Sequence, residues 1–413
     1  MPRHKNELIA ALDVGTSKIC CFIARVDAAG GINVIGIGHQ VSDGIRAGVV
    51  VDIDAVETSV RAAVDGAERM AGQTIGRVFV NLSGVGVRSQ TVGVEVAIDG
   101  HEVGEADLRL ALEHGRGRCD PGEQTFVHVL PVGYAVDGTR GIRDPRAMHG
   151  NMLGVDLHVV TAPIGPVRNI ETCLARGHLG LQGVAASAYA AGLASLVEDE
   201  LELGATCIDL GGGTTSIAVF AGGAMVYTAV IPVGGNHVTN DIAHGMVTST
   251  RQAERLKTLH GGALAGPSDD RETIDIPQVG EGDSAHRVAR SMLNGIIRPR
   301  LEEIFEMVRD RLVSDGFNDV AGKRVVLTGG ASQLQGMREF AARMLNKRVR
   351  LGRPIHVSGL AEATAGPAFA SCAGLLTYAQ RLPQGAGQSL GGAVFERSPR
   401  RLARVGRWLK ENF

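Results

Sequence analysis

The sequence predicts a two-lobed α/β protein, and three observations lead to this fold class. The chain has 413 residues, which exceeds one compact core and suits two lobes or several subdomains. Two segments, at 9–24 and 205–221, follow one pattern of strand, aspartate, glycine turn and second strand. A third glycine signal, at 325–337, reads as a buried strand, a turn and a helix.

Composition limits the class of protein. A hydrophobic content of 44% and a net charge of −2 exclude a disordered chain and provide no overall positive charge for nucleic acid. Glycine is abundant, with 57 residues, so tight turns and close backbone approaches are expected. We expect no signal peptide, because Asp13 interrupts the first apolar stretch, and no run of about 18 apolar residues occurs.

The cysteines are scattered and form no C-x-x-C pair, which favours a reduced cytoplasmic interior without a zinc site. There are six, at positions 20, 21, 119, 173, 207 and 372.

The two similar segments are "IAALDVGTSKICCFIA" and "ATCIDLGGGTTSIAVFA". Each predicts a β-hairpin whose turn presents consecutive backbone N–H groups to an anion such as phosphate, with hydroxyl donors beside them. The alternative is that each segment is only a tight turn. The presence of two matching copies argues against this alternative. The residues of the two turns are Gly15, Thr16, Ser17 and Lys18, and Gly211, Gly212, Gly213, Thr214 and Thr215.

An aspartate precedes each turn. Asp13 and Asp209 stand at the ends of the first strands, and they would face each other if the lobes did. Two carboxylates in this position suit the water shell of Mg²⁺, which keeps several waters when it accompanies phosphates. Neither turn is a Walker A loop, since each leads into a strand rather than a helix.

The segment "VVLTGGASQLQGM" places Gly329 and Gly330 directly after a buried strand, with Ser332 as the expected N-cap of the next helix. A flat ring fits against such a backbone because no side chain blocks it. The alternative is an ordinary strand–turn–helix connection. In "TRQAERLKTLHG", Glu254 and Lys257 share one face of a predicted helix, as a ribose or base contact or as a solvated ion pair.

The C-terminal region predicts a tether and a basic amphipathic helix. Residues 381–397 are glycine-rich, with a reach of roughly 20–25 Å. Residues 398–413 suit the plane of an anionic membrane and, at about 24 Å, are too short to span it. The alternative is a helix docked on the body of the protein. The apolar stripe is Leu402, Val405, Leu409 and Phe413, the basic face is Arg400, Arg404, Arg407 and Lys410, and Trp408 lies at their border.

These motifs together resemble the actin–Hsp70–sugar kinase ATPase superfamily and, within it, the bacterial FtsA family. Segments 41–72, 129–163, 231–246 and 295–312 carry the closer resemblance. It implies an actin-like (ribonuclease H-like) two-lobe ATPase fold with an FtsA-type 1C subdomain. Within 85–162 the residues read as strand, helix, strand, strand. The implied boundaries are 1–84 and 163–192 for 1A, 85–162 for 1C, 193–236 and 312–380 for 2A, and 237–311 for 2B.

The resemblance also implies a site for ATP and Mg²⁺. It assigns the two turns to the phosphates, Gly234, Gly235 and Asn236 to a further phosphate turn, Glu254 and Lys257 to the sugar and base, and Gly329, Gly330 and Ser332 to the adenosine. No residue stands out as a general base, so weak or purely structural use of ATP is expected. Residues 263–284 are expected to hold a hairpin in subdomain 2B.

As a member of this family the chain would polymerise, anchor FtsZ at the cytoplasmic face of the inner membrane at the division site, and help recruit later division proteins. Arg300 matches a family position for the C-terminal peptide of FtsZ, and Arg298 is a neighbouring candidate at what reads as a helix start. Two alternatives stay open: a pilus-assembly adaptor of related type, and a small-molecule kinase of the same superfamily.

Overall fold

The computed structural model describes residues 7–277, 285–320 and 322–382. The strands in this part of the chain are β1 (Glu7–Val14), β2 (Lys18–Val26), β3 (Ile32–Val41), β4 (Ile45–Arg46), β5 (Val49–Val50), β6 (Arg77–Leu82), β7 (Arg88–Ala97), β8 (Gln124–Val136), β9 (Thr139–Ile142), β10 (Met152–Pro163), β11 (Gly180–Ala186), β12 (Ala205–Leu210), β13 (Thr215–Ala221), β14 (Ala224–Ile231), β15 (Thr273–Pro277), β16 (Ala285–Ala289), β17 (Arg324–Thr328), β18 (Arg348–Leu351) and β19 (Val357–Ser358).

The α-helices of the same residues are α1 (Ile53–Ala71), α2 (Glu105–Arg118), α3 (Ile164–Arg176), α4 (Ser187–Ser195), α5 (Glu198–Leu203), α6 (Gly235–Gly245), α7 (Thr250–His260), α8 (Arg290–Ser314), α9 (Met337–Leu345) and α10 (Ala370–Arg381). None of these helices is both long and apolar enough to cross a bilayer.

Two sheets repeat one topology, which confirms the predicted pair of lobes. The first has the order β11-β6-β1-β2-β3-β19, and the second has the order β14-β13-β12-β17-β18. In both, a hairpin is followed by a third antiparallel strand, and the first strand of the hairpin pairs in parallel with a later strand. The strand ends before Gly15 and before Gly211 are therefore equivalent positions.

The first sheet is covered on both faces, which explains why its strands are apolar throughout. Alternate residues of β1 and β2 face α1 on one side and α10 on the other. Helix α1 approaches β3 closely at Gly38, where a Cβ would lie 1.9 Å from the carbonyl oxygen of Ala63, and α10 approaches α4 closely at Gly374, where a Cβ would lie 1.7 Å from the carbonyl oxygen of Ala190. The glycine content thus serves helix packing as well as turns.

In the second lobe, α6, α8 and α9 pack on the sheet around one apolar core. Helix α8 runs through Pro299, so Arg298 and Arg300 lie in its middle and not at a helix start as predicted. The buried residues Leu293, Ile297, Leu301 and Ile304 continue across the proline, so burial of this face outweighs the hydrogen bond that the proline removes.

A third sheet, with order β7-β10-β8-β9, and helix α2 form a separate layer with its own apolar core. The predicted succession of strand, helix, strand and strand is present, with the additional short strand β9. This layer also touches the second lobe, where the N–H of Thr228 donates to Ser89 Oγ at 3.2 Å.

Three expectations need correction or completion. Helix α10 and strand β19 pack on the first lobe, whereas the boundary 312–380 assigned them to the second; the small and apolar face of α10 fits the β1–β2 surface. Ser332 lies in a short 3-10 turn and caps no helix, because Gly336 (φ 77°) separates that turn from α9. The hairpin of β15 and β16 is present, while its tip at 278–284 and the C-terminal segments 383–397 and 398–413 lie outside the described residues.

Candidate functional site

A cavity of about 380 Å³ lies between the two lobes, at the strand ends that precede the two glycine turns. Both aspartates line it, together with residues from the two turns, from α7 and from the Gly-Gly turn after β17. The duplicated topology places these strand ends opposite each other, so residues far apart in sequence converge on one space of the size typical for ligand sites.

The first turn (Gly15–Lys18) closes by a hydrogen bond from the N–H of Gly15 to the carbonyl of Lys18 at 3.1 Å. The Ser17 hydroxyl crosses the cleft and donates to Asn236 Oδ1 at 2.8 Å. The Lys18 ammonium group donates to the carbonyl of Ala368 at 2.8 Å and lies 3.4 Å from the ring centroid of Phe369. These contacts fix the turn and keep one positive charge beside the cavity.

The second turn closes in the same way, since the N–H of Gly211 donates to the carbonyl of Thr214 at 2.9 Å. The N–H groups of Gly235 and Asn236, at the start of α6, donate to the carbonyls of Gly211 and Gly212 at 2.9 and 2.8 Å. The first turn of α6 therefore holds the glycine loop in place. A Cβ at Gly212 would lie 2.0 Å from Ser17 Oγ, so the two turns approach as closely as glycine permits.

Backbone N–H groups of both turns remain available. Those of Thr16, Ser17 and Gly212 donate to no acceptor in the described ranges, and all three residues line the cavity. Unpaired amides in a glycine turn form a concavity that favours an anion. The residues present thus fit a phosphate chain, and the two carboxylates beside them fit a hydrated Mg²⁺.

Both carboxyl groups are buried, and this burial disfavours their charged forms. Burial raises the pKa of Asp13 to about 7; nearby Lys18 and the hydrogen bond from Asn81 oppose this rise, and the Asp209 carboxylate adds to it. Burial likewise raises the pKa of Asp209, against a hydrogen bond from Ser371 and the charge of Lys18. Two acids beside one cavity therefore favour a positively charged ligand between them.

The opposite end of the cavity suits a flat ring and a sugar. Lys257 Nζ lies 2.6 Å from Glu254 Oε2 and donates to Thr239 Oγ1 at 2.8 Å, so this pair is held by α6 as well as α7. Apolar side chains and the bare backbone of the Gly-Gly turn form the rest of this end. They are Val238, Leu301, Gly330, Ala331, Leu334 and Met337.

Most predicted site residues line the cavity, and four stand behind it. Those that do not line it are Gly213, Thr215, Gly234 and Ser332. Two of them support the turns: the Thr215 hydroxyl donates to the carbonyl of Val233 at 2.7 Å, and that of Ser332 donates to the carbonyl of Gly329 at 2.7 Å.

The sequence prediction missed several polar residues of the cavity, among them Asn81, Ser187 and Ser371. Asn81 carried a readable signal, because it interrupts an apolar run, "VFVNL", as Asp13 interrupts β1. Ser187 and Ser371 carried none, since each is a small residue in an alanine-rich helix.

The two arginines proposed for a partner peptide do not line this cavity. The guanidinium group of Arg300 is paired with Asp241 of α6, at 2.6 and 3.0 Å, and with Glu303. Arg298 is more exposed and pairs with Glu302 at 2.9 Å. Each of the two arginines thus already has an acidic partner within the chain.

Comparison with known proteins now identifies the family. The family model "Cell division protein FtsA" matches residues 206–374, and the model "SHS2 domain inserted in FTSA" matches residues 84–161. The cell division protein FtsA of Agrobacterium fabrum (strain C58) is 44% identical over 423 residues, which cover 99% of this chain and 96% of that protein. The chain belongs to the FtsA family of cell division proteins.

Solved structures agree on the fold of this FtsA-family chain. The PilM–PilN type IV pilus biogenesis complex contains a chain with a TM-score of 0.65 and 16% identity, covering 91% of this chain and 99% of that one. MreB5 of Spiroplasma citri bound to ADP has a TM-score of 0.53 and 12% identity, covering 94% and 99%. The fold is therefore the actin-like two-lobed fold, with the SHS2 insert of the FtsA family.

The buried position of Asp13 predicts a pH-dependent stability. The carboxyl has a pKa of about 7 in the folded chain and about 4 when unfolded. Between these pH values the folded chain keeps a proton that the unfolded chain has lost, so the free energy of unfolding falls by roughly 1 kcal/mol per pH unit as the pH rises. Asp13→Asn removes this loss. The ligand-free variant should gain stability relative to the parent between about pH 4 and 7, measured by urea unfolding; a difference that stays constant over this range would contradict the assignment.

Proposed function

We propose that this FtsA-family protein binds Mg²⁺–ATP between its lobes, assembles on the cytoplasmic face of the inner membrane, and tethers FtsZ there at the division site. The observation that carries the nucleotide part is the convergence of two equivalent turns, Gly15–Lys18 and Gly211–Thr214, with their aspartates, on one cavity. The unpaired amides would hold the phosphates, and Asp13 and Asp209 would hold the water shell of the magnesium ion.

The sugar and base would occupy the other end of the cavity. Glu254 and Lys257 are fixed by Thr239, so they are ready to contact a ribose or base without further ordering. The ring would lie on the backbone of Gly330, where an added Cβ meets no atom within 4 Å. Apart from Asp13 and Asp209, the acid that lines the cavity among the described residues is Glu254, and its carboxylate is already paired with Lys257 and bonded by Thr239. Because the described residues at this cavity offer no unpaired carboxylate or histidine as a general base beside the two proposed magnesium acids, we propose at most slow hydrolysis.

The membrane part rests on the sequence of residues 398–413, which lie outside the described residues. Four to six basic side chains at roughly 1 kcal/mol each, together with an apolar stripe and Trp408, give reversible binding to an anionic surface. A polymer carries many such tails, so its avidity exceeds that of one copy by orders of magnitude. Nucleotide binding between the lobes would favour the arrangement that polymerises, and later division proteins would join on the polymer.

The FtsZ part rests on α8 and its neighbours in the second lobe. Arg300 lies on the side of α8 that contacts α6, where Asp241 holds it, whereas Arg298, two residues earlier, lies on a different side of the helix and is more exposed. Their acidic partners Asp241, Glu302 and Glu303 could be exchanged for carboxylates of an FtsZ C-terminal peptide. Such an exchange costs little free energy where the pairs are solvent-exposed.

Nucleotide binding can be tested at Gly330. Gly330→Val should weaken binding of a fluorescent ATP analogue with Mg²⁺ by at least about tenfold, which corresponds to roughly 1.4 kcal/mol of binding free energy. The reason is that the new side chain fills the space proposed for the ring. The melting temperature of the ligand-free variant should match the parent, since the side chain enters open space. Gly76→Val, also in open space but far from the cavity, is the matched control. Unchanged affinity of Gly330→Val would place the ring elsewhere.

Membrane binding can be tested by removing residues 398–413. The full chain should sediment with vesicles that contain anionic lipid, less so with neutral vesicles, and the truncated chain should stay in the supernatant. The result is read in the presence of Mg²⁺–ATP, so that polymer avidity contributes. Equal sedimentation of both chains would move the membrane contact to another part of the protein.

The peptide site can be tested by charge reversal. Arg300→Glu should weaken binding of an FtsZ C-terminal peptide several-fold, as expected for an interface charge at the rim. The double variant Asp241→Arg with Arg300→Glu restores the internal ion pair without restoring the charge at position 300, so it should remain weak. Recovery of binding by the double variant would show that Arg300 acts only by holding α6 to α8. Isothermal titration calorimetry measures all three proteins.

A further inference from the structure

A line of three small polar residues, Asn81, Ser187 and Ser371, runs beneath the two aspartates, and we refer to it as the polar floor of the cleft. All three residues line the cavity and are at most 6% exposed. They come from three different elements: the end of β6, the start of α4 and the start of α10.

Asn81 fixes the carboxylate of Asp13. β6 runs parallel to β1 with Val80 opposite Leu12. Asn81 and Asp13, the next residues of the two strands, therefore lie side by side near the strand ends. The Asn81 amide nitrogen donates to Asp13 Oδ1 at 2.6 Å and to Ser187 Oγ at 3.0 Å. Its oxygen accepts the N–H of Val14 at 2.7 Å. Both N–H groups of the amide and one lone pair of its oxygen are used, so the orientation of Asn81 is fixed.

Ser371 fixes the carboxylate of Asp209 from the other lobe. Its hydroxyl donates to Asp209 Oδ2 at 3.0 Å and lies 3.5 Å from the carbonyl oxygen of Ser187. Asp209 belongs to the second sheet, whereas α10 packs on the first. One hydrogen bond thus joins the carboxylate of one lobe to the body of the other.

Two atoms at the floor are left without a partner in the described part of the chain. Asp13 Oδ2 accepts no hydrogen bond there, although the side chain is only 9% exposed. The Ser187 hydroxyl accepts from Asn81, and its own proton has no acceptor. A carboxylate oxygen and a hydroxyl proton that are free at the wall of a cavity can bond a ligand or an ordered water that enters it.

We propose that the polar floor is a positioning device for the hydrated magnesium ion: Asn81 and Ser371 hold the two carboxylates in place, and Ser187 donates its hydroxyl proton to a water of the ion. The inference rests on the proposed binding of Mg²⁺–ATP. Groups that orient the ligands of a metal contribute about 10- to 100-fold to its affinity. The three residues act through the carboxylates and the water, without direct contact with the metal.

The competing explanation is that the floor is purely structural. Asn81 covers the buried N–H of Val14, and loss of such a partner destabilises a fold whatever the ligand. A structural role changes the melting temperature and weakens nucleotide binding equally with and without magnesium. A positioning role instead lowers the gain in affinity that magnesium provides.

The measurement is therefore the ratio of the dissociation constants of a fluorescent ATP analogue in EDTA and in Mg²⁺. Ser371→Ala should lower this ratio by about tenfold or more relative to the parent, with the constant in EDTA unchanged. Ser371→Thr keeps the hydroxyl and should restore the ratio. Asn81→Ser, a second variant in the first lobe, should also lower it. Ser195→Ala removes a hydroxyl that is equally buried but bonds within α4 to the carbonyl of Ala191, and serves as the matched control.

The possible results distinguish a failure of the polar floor from a failure of the proposed nucleotide binding. If the parent binds nucleotide more tightly with magnesium and both Ser371→Ala and Asn81→Ser keep the parental ratio, the polar floor has no role towards the ion. If the parent binds no nucleotide in either condition, the proposed function fails and the inference fails with it. A lowered ratio in Ser195→Ala of the same size would also overturn the assignment, since that hydroxyl bonds to Ala191 and to neither carboxylate.

Discussion

The structure depends on holding two carboxyl groups, Asp13 and Asp209, buried at the ends of equivalent strands that face each other. Burial of acids is unfavourable in the absence of a cation, and the raised pKa values of both groups are the direct sign of this. The fold compensates with Lys18 and with hydrogen bonds from Asn81 and Ser371. The two carboxylates are therefore held in fixed positions, which is the preorganisation that the proposed magnesium–phosphate site would need.

Small residues make this arrangement possible. The two turns can meet because Gly212 has no side chain where Ser17 lies, α1 approaches the first sheet through Gly38, and α10 approaches α4 through Gly374. The composition that first distinguishes the sequence is thus a consequence of backbone contacts in the core and at the cleft.

The sequence predicted the parts that local patterns encode. The two hairpins, α7 and the strand before Gly329 are each a short stretch whose periodicity and glycine turns define it. Prediction from the sequence failed where contacts between residues far apart in the chain determine the structure. Helix α8 continues past Pro299 because its buried face spans the proline, and α10 joins the first lobe because its surface fits β1 and β2.

The candidate site divides in the same way. Asp13 and Asp209 could be predicted as site residues because a charged residue inside an apolar strand is rarely buried without a specific partner. Ser187 and Ser371 were not, because a serine in an alanine-rich helix has the same local pattern whether it faces a core or a cavity. Only the crossing of α4, α10 and β6 beneath the cleft gives these hydroxyls a common position.

The second lobe also connects the cleft to the surface of α8 by a single element. Helix α6 begins beside Asn236, which accepts the Ser17 hydroxyl across the cleft, and it carries Asp241, which holds Arg300. Continuity of this kind becomes coupling only if nucleotide binds two arrangements with different affinity. The Ser17–Asn236 bond is where such a difference would arise under the proposed function, because a phosphate between the turns would compete for the same hydroxyl. Asp241 lies two turns or less further along this 11-residue helix, so a displacement of the first turn of α6 would reach the Asp241–Arg300 pair directly.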